Sequence, residues 1–233
     1  MIKKLLLLTG LTLFAQAETV KIASVAGYKK PVMEVIKAFE KKGYQTESLF
    51  GNMQQIIHQA QNGAIEIIIG DKAFLEKSPL SIITYQSIGK GKVVLAYAKK
   101  TSLFGISDLK KEDISKIAMP QPKKAIYGTA GEEFLRNTNL YSEIENKLYI
   151  VSTVPQVVAY LTTGEVQAGI INLTAALANK DKLGGYILID EKSYSPIEIT
   201  AAKLSKCQSH ACEDFLTFLS SQTAQELFTK YGL

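Results

Sequence analysis

The feature that most constrains the fold is a unit met four times along the chain: a short apolar strand, a tight turn, and the start of an amphipathic helix. The first runs from a β-rich stretch at 19–26 through Ala26-Gly27-Tyr28 into a helix at about 31–41. Pro31 suits the first turn, and Val32, Val35, Ile36 and Phe39 share one face. Gly43 ends this helix, as a glycine just past a C-terminus does. The second unit joins a strand at 45–50 to a helix at 54–61 through Gly51-Asn52-Met53. A third strand, 65–69, is a run of isoleucines broken only by Glu66, the composition of a strand covered on both faces of a parallel sheet.

The pattern then repeats. A long strand is expected at 82–98, leaving the first half, with a short helical turn near Ser107-Asp108-Leu109. The third unit runs from an apolar piece at 116–119 through Ile126-Tyr127-Gly128 into a helix expected at 129–137. The fourth joins a strand at 148–151 to a helix at 156–163 through Thr153-Val154-Pro155. Strands at 168–172, 186–189 and 197–204, a helix at 173–180 and one closing helix over 213–230 complete the reading. The alternation specifies an α/β fold, and two βα halves joined by long extended segments predict two lobes with a cleft. The expected boundaries are 18–96 plus 199–233 for one lobe and 97–198 for the other.

At each helix start the first N–H groups have no intrahelical partner and the helix dipole presents its positive end. Such a junction can hold a small anion with no charged side chain, and ligands of open α/β sheets sit where these junctions converge. Two of the four turns come from each half.

Residues 1–17 read as a secretory signal peptide: Lys3 and Lys4, an apolar run too short to span a bilayer, then Ala15-Gln16-Ala17. No Cys follows the apolar run to take a lipid, and the mature product is expected in the periplasm. Cleavage after Ala17 lowers the formal charge from +5 to +3. The lysines are dispersed, Arg136 is the one arginine, and no aromatic-basic repeat occurs, which argues against a nucleic-acid partner.

Cys207 and Cys212, close together in an exported chain, suggest a disulfide ahead of the last helix. A metal site using these thiols and His210 lacks a fourth ligand. With His58 and His210 the only histidines, there is no nucleophile, base and orienter for a hydrolase, so neither catalysis nor a cofactor is expected. His58 reads as a flank residue of its helix. Tyr85 and Tyr194 read as core or hinge packing, and Lys123 and Lys124 as exposed.

The stretch Pro122-Lys123-x-Ala125-x-Tyr127-Gly128-x-Ala130-x-x-Glu133-x-Leu135 is similar to a P-K-x-A-P-Y-G-x-A-x-x-E-x-L stretch of bacterial periplasmic molybdate-binding proteins. Phe39-Glu40-Lys41, Ile88-Gly89-Lys90-Gly91-Lys92, Thr163-Gly164-Glu165 and the Tyr231-Gly232 ending also resemble that family, over essentially the whole mature chain. The resemblance implies a type II periplasmic binding fold, each lobe a mixed sheet flanked by helices, closing over a tetrahedral oxyanion. It also implies a monomer that delivers molybdate or tungstate to the inner-membrane permease of an ABC transporter. Carried over by position, it points to Gly27, Asn52, Tyr127, Val154 and Asn172 as oxyanion-binding residues.

The chain departs from the family where a serine turn becomes Gly51-Asn52-Met53-Gln54, where the proline before Tyr127 becomes Ile126, and at Gly27 and Asn172. Each donor lost against a desolvated dianion costs about 1.5–3 kcal/mol, so two uncompensated losses remove two or more decades of affinity. These departures motivate the alternatives of a receptor for another small anion or polar solute, or of a module that presents its ligand to a membrane sensor.

Overall fold

The computed structural model describes residues 18–233, so the signal-peptide reading lies outside the described residues. In chain order the elements are β1 (Thr19–Val25), α1 (Lys29–Glu40), β2 (Gln45–Gly51), α2 (Met53–Asn62), β3 (Ile67–Asp71), α3 (Lys72–Glu76), β4 (Ile82–Gly91) and β5 (Val93–Tyr97). They continue with β6 (Ile117–Pro120), α4 (Ile126–Asn137), α5 (Tyr141–Ile144), β7 (Leu148–Val151), α6 (Val154–Thr163), β8 (Ala168–Asn172), α7 (Leu173–Ala178) and β9 (Gly185–Leu188). The chain closes with β10 (Ile197–Leu204), α8 (His210–Leu219) and α9 (Gln222–Thr229).

The strands form two five-stranded mixed sheets, ordered β2-β1-β3-β10-β4 and β7-β6-β8-β5-β9. In the first, β1 pairs in parallel with β2 and β3, while β10 runs antiparallel to β3 and β4. The second repeats the plan: β6 is parallel to β7 and β8, and β5 is antiparallel to β8 and β9. The isoleucine strand β3 and the matching β8 are buried along their whole length, as the third strand of each sheet must be when helices cover both faces.

The extended run expected as one strand over 82–98 is two strands in two sheets. The chain crosses at Lys92, with β4 forming the partly exposed edge of the first sheet and β5 pairing inside the second. Burial decides this, because Val93, Val94, Leu95 and Ala96 are all 0% exposed and only an interior position covers both of their faces. Residues 93–96 therefore sit with the second sheet, not the first, and β10 spans Ile197–Leu204 as expected, so 197 and 198 also belong to the first sheet. Gly91, at this crossing, has no room for a side chain: a Cβ would lie 2.9 Å from the Tyr28 hydroxyl and 2.6 Å from Ile197, and closer still to the Tyr127 hydroxyl.

The expected closing helix is also two, α8 and α9. Ser221 interrupts it by taking the N–H of Ala224 at 3.3 Å and capping a new helix start. α4 begins at Ile126, three residues earlier than expected, so Tyr127 and Gly128 lie in its first turn. The expected face of α1 is buried, with Phe39 stacked on Tyr44 at 4.1 Å and edge-on to Phe215 at 5.1 Å. Cys207 and Cys212 form a disulfide with Cα atoms 5.7 Å apart, just ahead of and within the first turn of α8. Among the described residues no helix is long and apolar enough to cross a membrane, and no group of His, Cys, Asp or Glu is placed to hold a metal.

Candidate functional site

Each helix-start turn is held by local chemistry. At α2, Gln55 N–H donates to Asn52 Oδ1 at 2.9 Å while Asn52 N–H donates to Gln55 Oε1 at 2.8 Å, a reciprocal capping box. At α6 the equivalent glutamine, Gln156, accepts the N–H groups of Ser152 and Thr153 through Oε1 at 2.8 and 3.1 Å. At α4, Ala125 N–H donates to the Gln121 carbonyl at 3.1 Å. A Cβ on Gly128 would come within 2.5 Å of the Pro120 carbonyl oxygen and nearer to that of Gln121, so the first turn of α4 can lie against the end of β6 only as glycine.

All four turns meet at one cavity of about 20 Å³, lined by Ala26 and Gly27, by Gly51, Asn52 and Met53, by Ile126 and Tyr127, and by Thr153 and Val154. No charged side chain contributes to this lining. Met53, Tyr127 and Val154 stand at the first or second position of α2, α4 and α6, where a backbone N–H has no intrahelical acceptor, and Gly27 lies in the helical turn just ahead of α1. The three helices have ten, twelve and ten residues, and the positive end of each dipole lies at these first turns. A small space at converging helix starts with no counter-charge favours an anion and discriminates by size. Beside it a wider cleft of about 980 Å³ runs between α1 and the α6–α7 side, reaching Ala26 and Gly27, with four lysines, among them Lys29 and Lys30, and the acids Glu34 and Asp181 on its walls.

Next to the cavity the Tyr28 and Tyr127 hydroxyls are hydrogen-bonded to each other across the two halves, their rings edge-to-face with centroids 6.3 Å apart. Burial pushes both phenols far above their ordinary value, and the nearby Asp71 carboxylate adds to this. Both hydroxyls therefore stay protonated, and the pair is neutral under any physiological condition.

Of the five residues carried over by resemblance, Gly27, Asn52, Tyr127 and Val154 line the cavity and Asn172 does not. Asn172 is fully buried at the end of β8, where its Nδ2 donates to the Gly27 carbonyl at 3.1 Å and its Oδ1 has no partner among the described residues. The Asn52 side chain is already engaged: Oδ1 caps α2, and Nδ2 donates to Ser152 Oγ at 3.1 Å. Met53, Ile126 and Thr153 line the cavity without having been singled out, although the position of each within a βα turn was a signal. Lys123 and Lys124 are exposed and outside the lining. His58 is exposed and contacts Asn62, while Tyr194 accepts the N–H of Val93 at the crossing between the sheets.

Residues 20–233 match the family described as bacterial extracellular solute-binding protein. The chain is 28% identical to the molybdate-binding protein ModA of Rhodobacter capsulatus, over 98% of this chain and 93% of that one. It is 27% identical to the ModA of Azotobacter vinelandii, over 94% and 90%. The solved structure of the Azotobacter vinelandii periplasmic molybdate-binding protein shares the fold, with a TM-score of 0.82, 19% identity and coverage of 91% of this chain and 97% of that one. With the family matched over almost all of the described residues, the chain belongs to the bacterial extracellular solute-binding proteins.

Proposed function

We propose that this chain is the periplasmic receptor of a molybdate importer, capturing molybdate or tungstate between its lobes and delivering it to the inner-membrane permease of an ABC transporter. The observation that carries the reading is the meeting of four βα turns, two from each sheet, at one small cavity with helix starts around it and no charged lining. The two relatives named for molybdate binding, each matched nearly end to end, supply the ligand class.

The lobes are the parts built on each sheet: residues 18–91 with 197–233, and residues 93–188. They turn about Lys92 and the segment 189–196. Gly27, Tyr127 and Val154, joined by Met53, offer backbone N–H groups to the oxyanion oxygens. Asn52 shapes the turn that presents Met53. Asn172 steadies Gly27 through its carbonyl. Sulfate carries the same charge, so its rejection rests on the fit of the cavity to the larger ion. The protein acts as a monomer without cofactor or catalysis, exported by the signal peptide.

The test is calorimetric titration of the mature protein, from Glu18 onward, with molybdate, tungstate and sulfate. Tight binding of the first two with no heat from sulfate is expected. Silence from all three, or binding of sulfate alone, would overturn the reading.

A further inference from the structure

Lobe-closing receptors are held shut by contacts that exist only in the closed form, and a ligand is one source of them. In this chain several such contacts are made by the protein itself. Asn52 Nδ2 donates across the cleft to Ser152 Oγ at 3.1 Å, and the Ser152 carbonyl lies 3.4 Å from the same nitrogen. Next to it Gln54 N–H donates to the Lys124 carbonyl at 3.3 Å. On the other side of the cavity Asn172 Nδ2 holds the Gly27 carbonyl at 3.1 Å, and Lys30 Nζ reaches the Ala178 carbonyl at the end of α7 at 3.4 Å. Every one of these bonds joins a residue on the first sheet's side to one on the second's.

Asn52 is suited to this task by length and by burial. It is only 6% exposed, and its two amide atoms divide the work: the oxygen fixes the start of α2 and the nitrogen spans the cleft. A serine at the same position would still cap the helix, since its hydroxyl can accept the Gln55 N–H, but it is too short to reach Ser152 as well. The nitrogen carries two N–H donors, and the two acceptors it reaches across the cleft, Oγ and the carbonyl, both belong to Ser152.

We propose that Asn52 and Ser152 form a ligand-independent clasp that favours the closed form before any anion arrives, making Asn52 a positioning residue for capture. The clasp rests on the two-lobed, hinge-closing part of the reading above and not on the identity of the ligand. Its consequence is a higher closed population without ligand, hence a smaller conformational cost of binding and slower release.

The test uses Asn52→Ser, Ser152→Ala and the double variant in the mature protein, with single-molecule energy transfer between dyes on cysteines introduced at exposed Lys41 and Lys100, one on each lobe. Losing one net hydrogen bond raises the ligand-free open-to-closed ratio about three- to tenfold. Each single variant is expected to show this rise, and the double variant no more than either single one. Molybdate release, followed by stopped flow, is expected to quicken by a similar factor. An unchanged ligand-free ratio in both single variants, or effects that simply multiply in the double variant, would overturn the clasp. Because the energy-transfer measurement needs no ligand, failure of molybdate to bind would sink the functional reading while leaving the clasp to be judged on its own. Ser152→Ala keeps the α2 cap intact, so a change seen there cannot be assigned to loss of the helix start.

Discussion

At the scale of single residues, the Tyr28–Tyr127 pair links the two halves most deeply. Neither ring is needed to fill its place with a hydroxyl, yet once one hydroxyl is buried the other must be there to meet it. Tyr127→Phe is expected to cost about 1–3 kcal/mol in urea unfolding, because it leaves the Tyr28 oxygen buried and unpartnered. Tyr28→Phe should cost a similar amount for the same reason. The double phenylalanine variant should cost less than the sum, since nothing is then left orphaned; a sum as large as the two singles would show that the hydroxyls do not depend on each other. That Gly27, Asn52, Tyr127 and Val154 sit in βα turns was legible in the sequence, because turns announce themselves through glycine, proline and capping residues, whereas their choice as ligand residues comes from the family resemblance. What their side chains touch was not legible. Asn52 and Ser152 stand 100 residues apart, and nothing local to either foretells that they meet.

At the scale of elements, the strand-turn-helix units were readable because hydrophobic period and helix-stop signals agree along them. The sequence reads as one helix across Ser220-Ser221 because apolar residues continue on both sides, and a serine cap is visible only once the backbone turns there to divide α8 from α9. α3, five residues long and capped by Asp71, is too short for a period to show. The last helices are tied down in two testable ways. The Cys207–Cys212 bridge closes a loop with a sequence separation of 5, for which chain-entropy loss in the unfolded state amounts to about 2 kcal/mol. Reduction, or the double alanine variant, should lower stability by about that amount in chemical denaturation without moving α8 in the folded state. A loss near zero would mean that strain or residual structure offsets the constraint.

The other tie is Glu34 on α1. Its carboxylate accepts the Tyr231 hydroxyl at 2.5 Å and the Lys230 ammonium at 3.1 Å, and these, the tyrosine first, hold its pKa below the ordinary carboxylate value. A carboxylate whose folded pKa is depressed contributes stability that is present above its unfolded value and lost as pH falls through the folded one. Stability measured from neutral pH downward should therefore decline across the acidic range, and Glu34→Gln should flatten that decline by a few tenths of a kcal/mol, the group being partly open to solvent. A Glu34→Gln profile parallel to the parent's would remove this contact from the acid response.

At the scale of the whole molecule, two sheets of the same plan bring helix starts from both halves to a cavity neither could build alone. On the proposed function, a site with no charged group would prefer an anion through backbone donors, their number fixed by the fold and their spacing set by how the lobes close. The two-lobed architecture followed from the repeated βα pattern. The crossing at Lys92 did not: the polar-rich stretch before it and the apolar Val93–Tyr97 after it both favour extended backbone, and nothing local says that they pair in different sheets.

The most direct measurement is an anomalous difference map, collected at the molybdenum absorption edge from crystals of the mature protein grown with molybdate. A single strong peak is predicted inside the cavity, within hydrogen-bonding reach of the N–H groups of Gly27, Met53, Tyr127 and Val154 through the ion's oxygens. A peak in the lysine-lined outer cleft alone, or no peak in crystals of a protein that binds molybdate in solution, would contradict the central claim that these four turns form the ligand site.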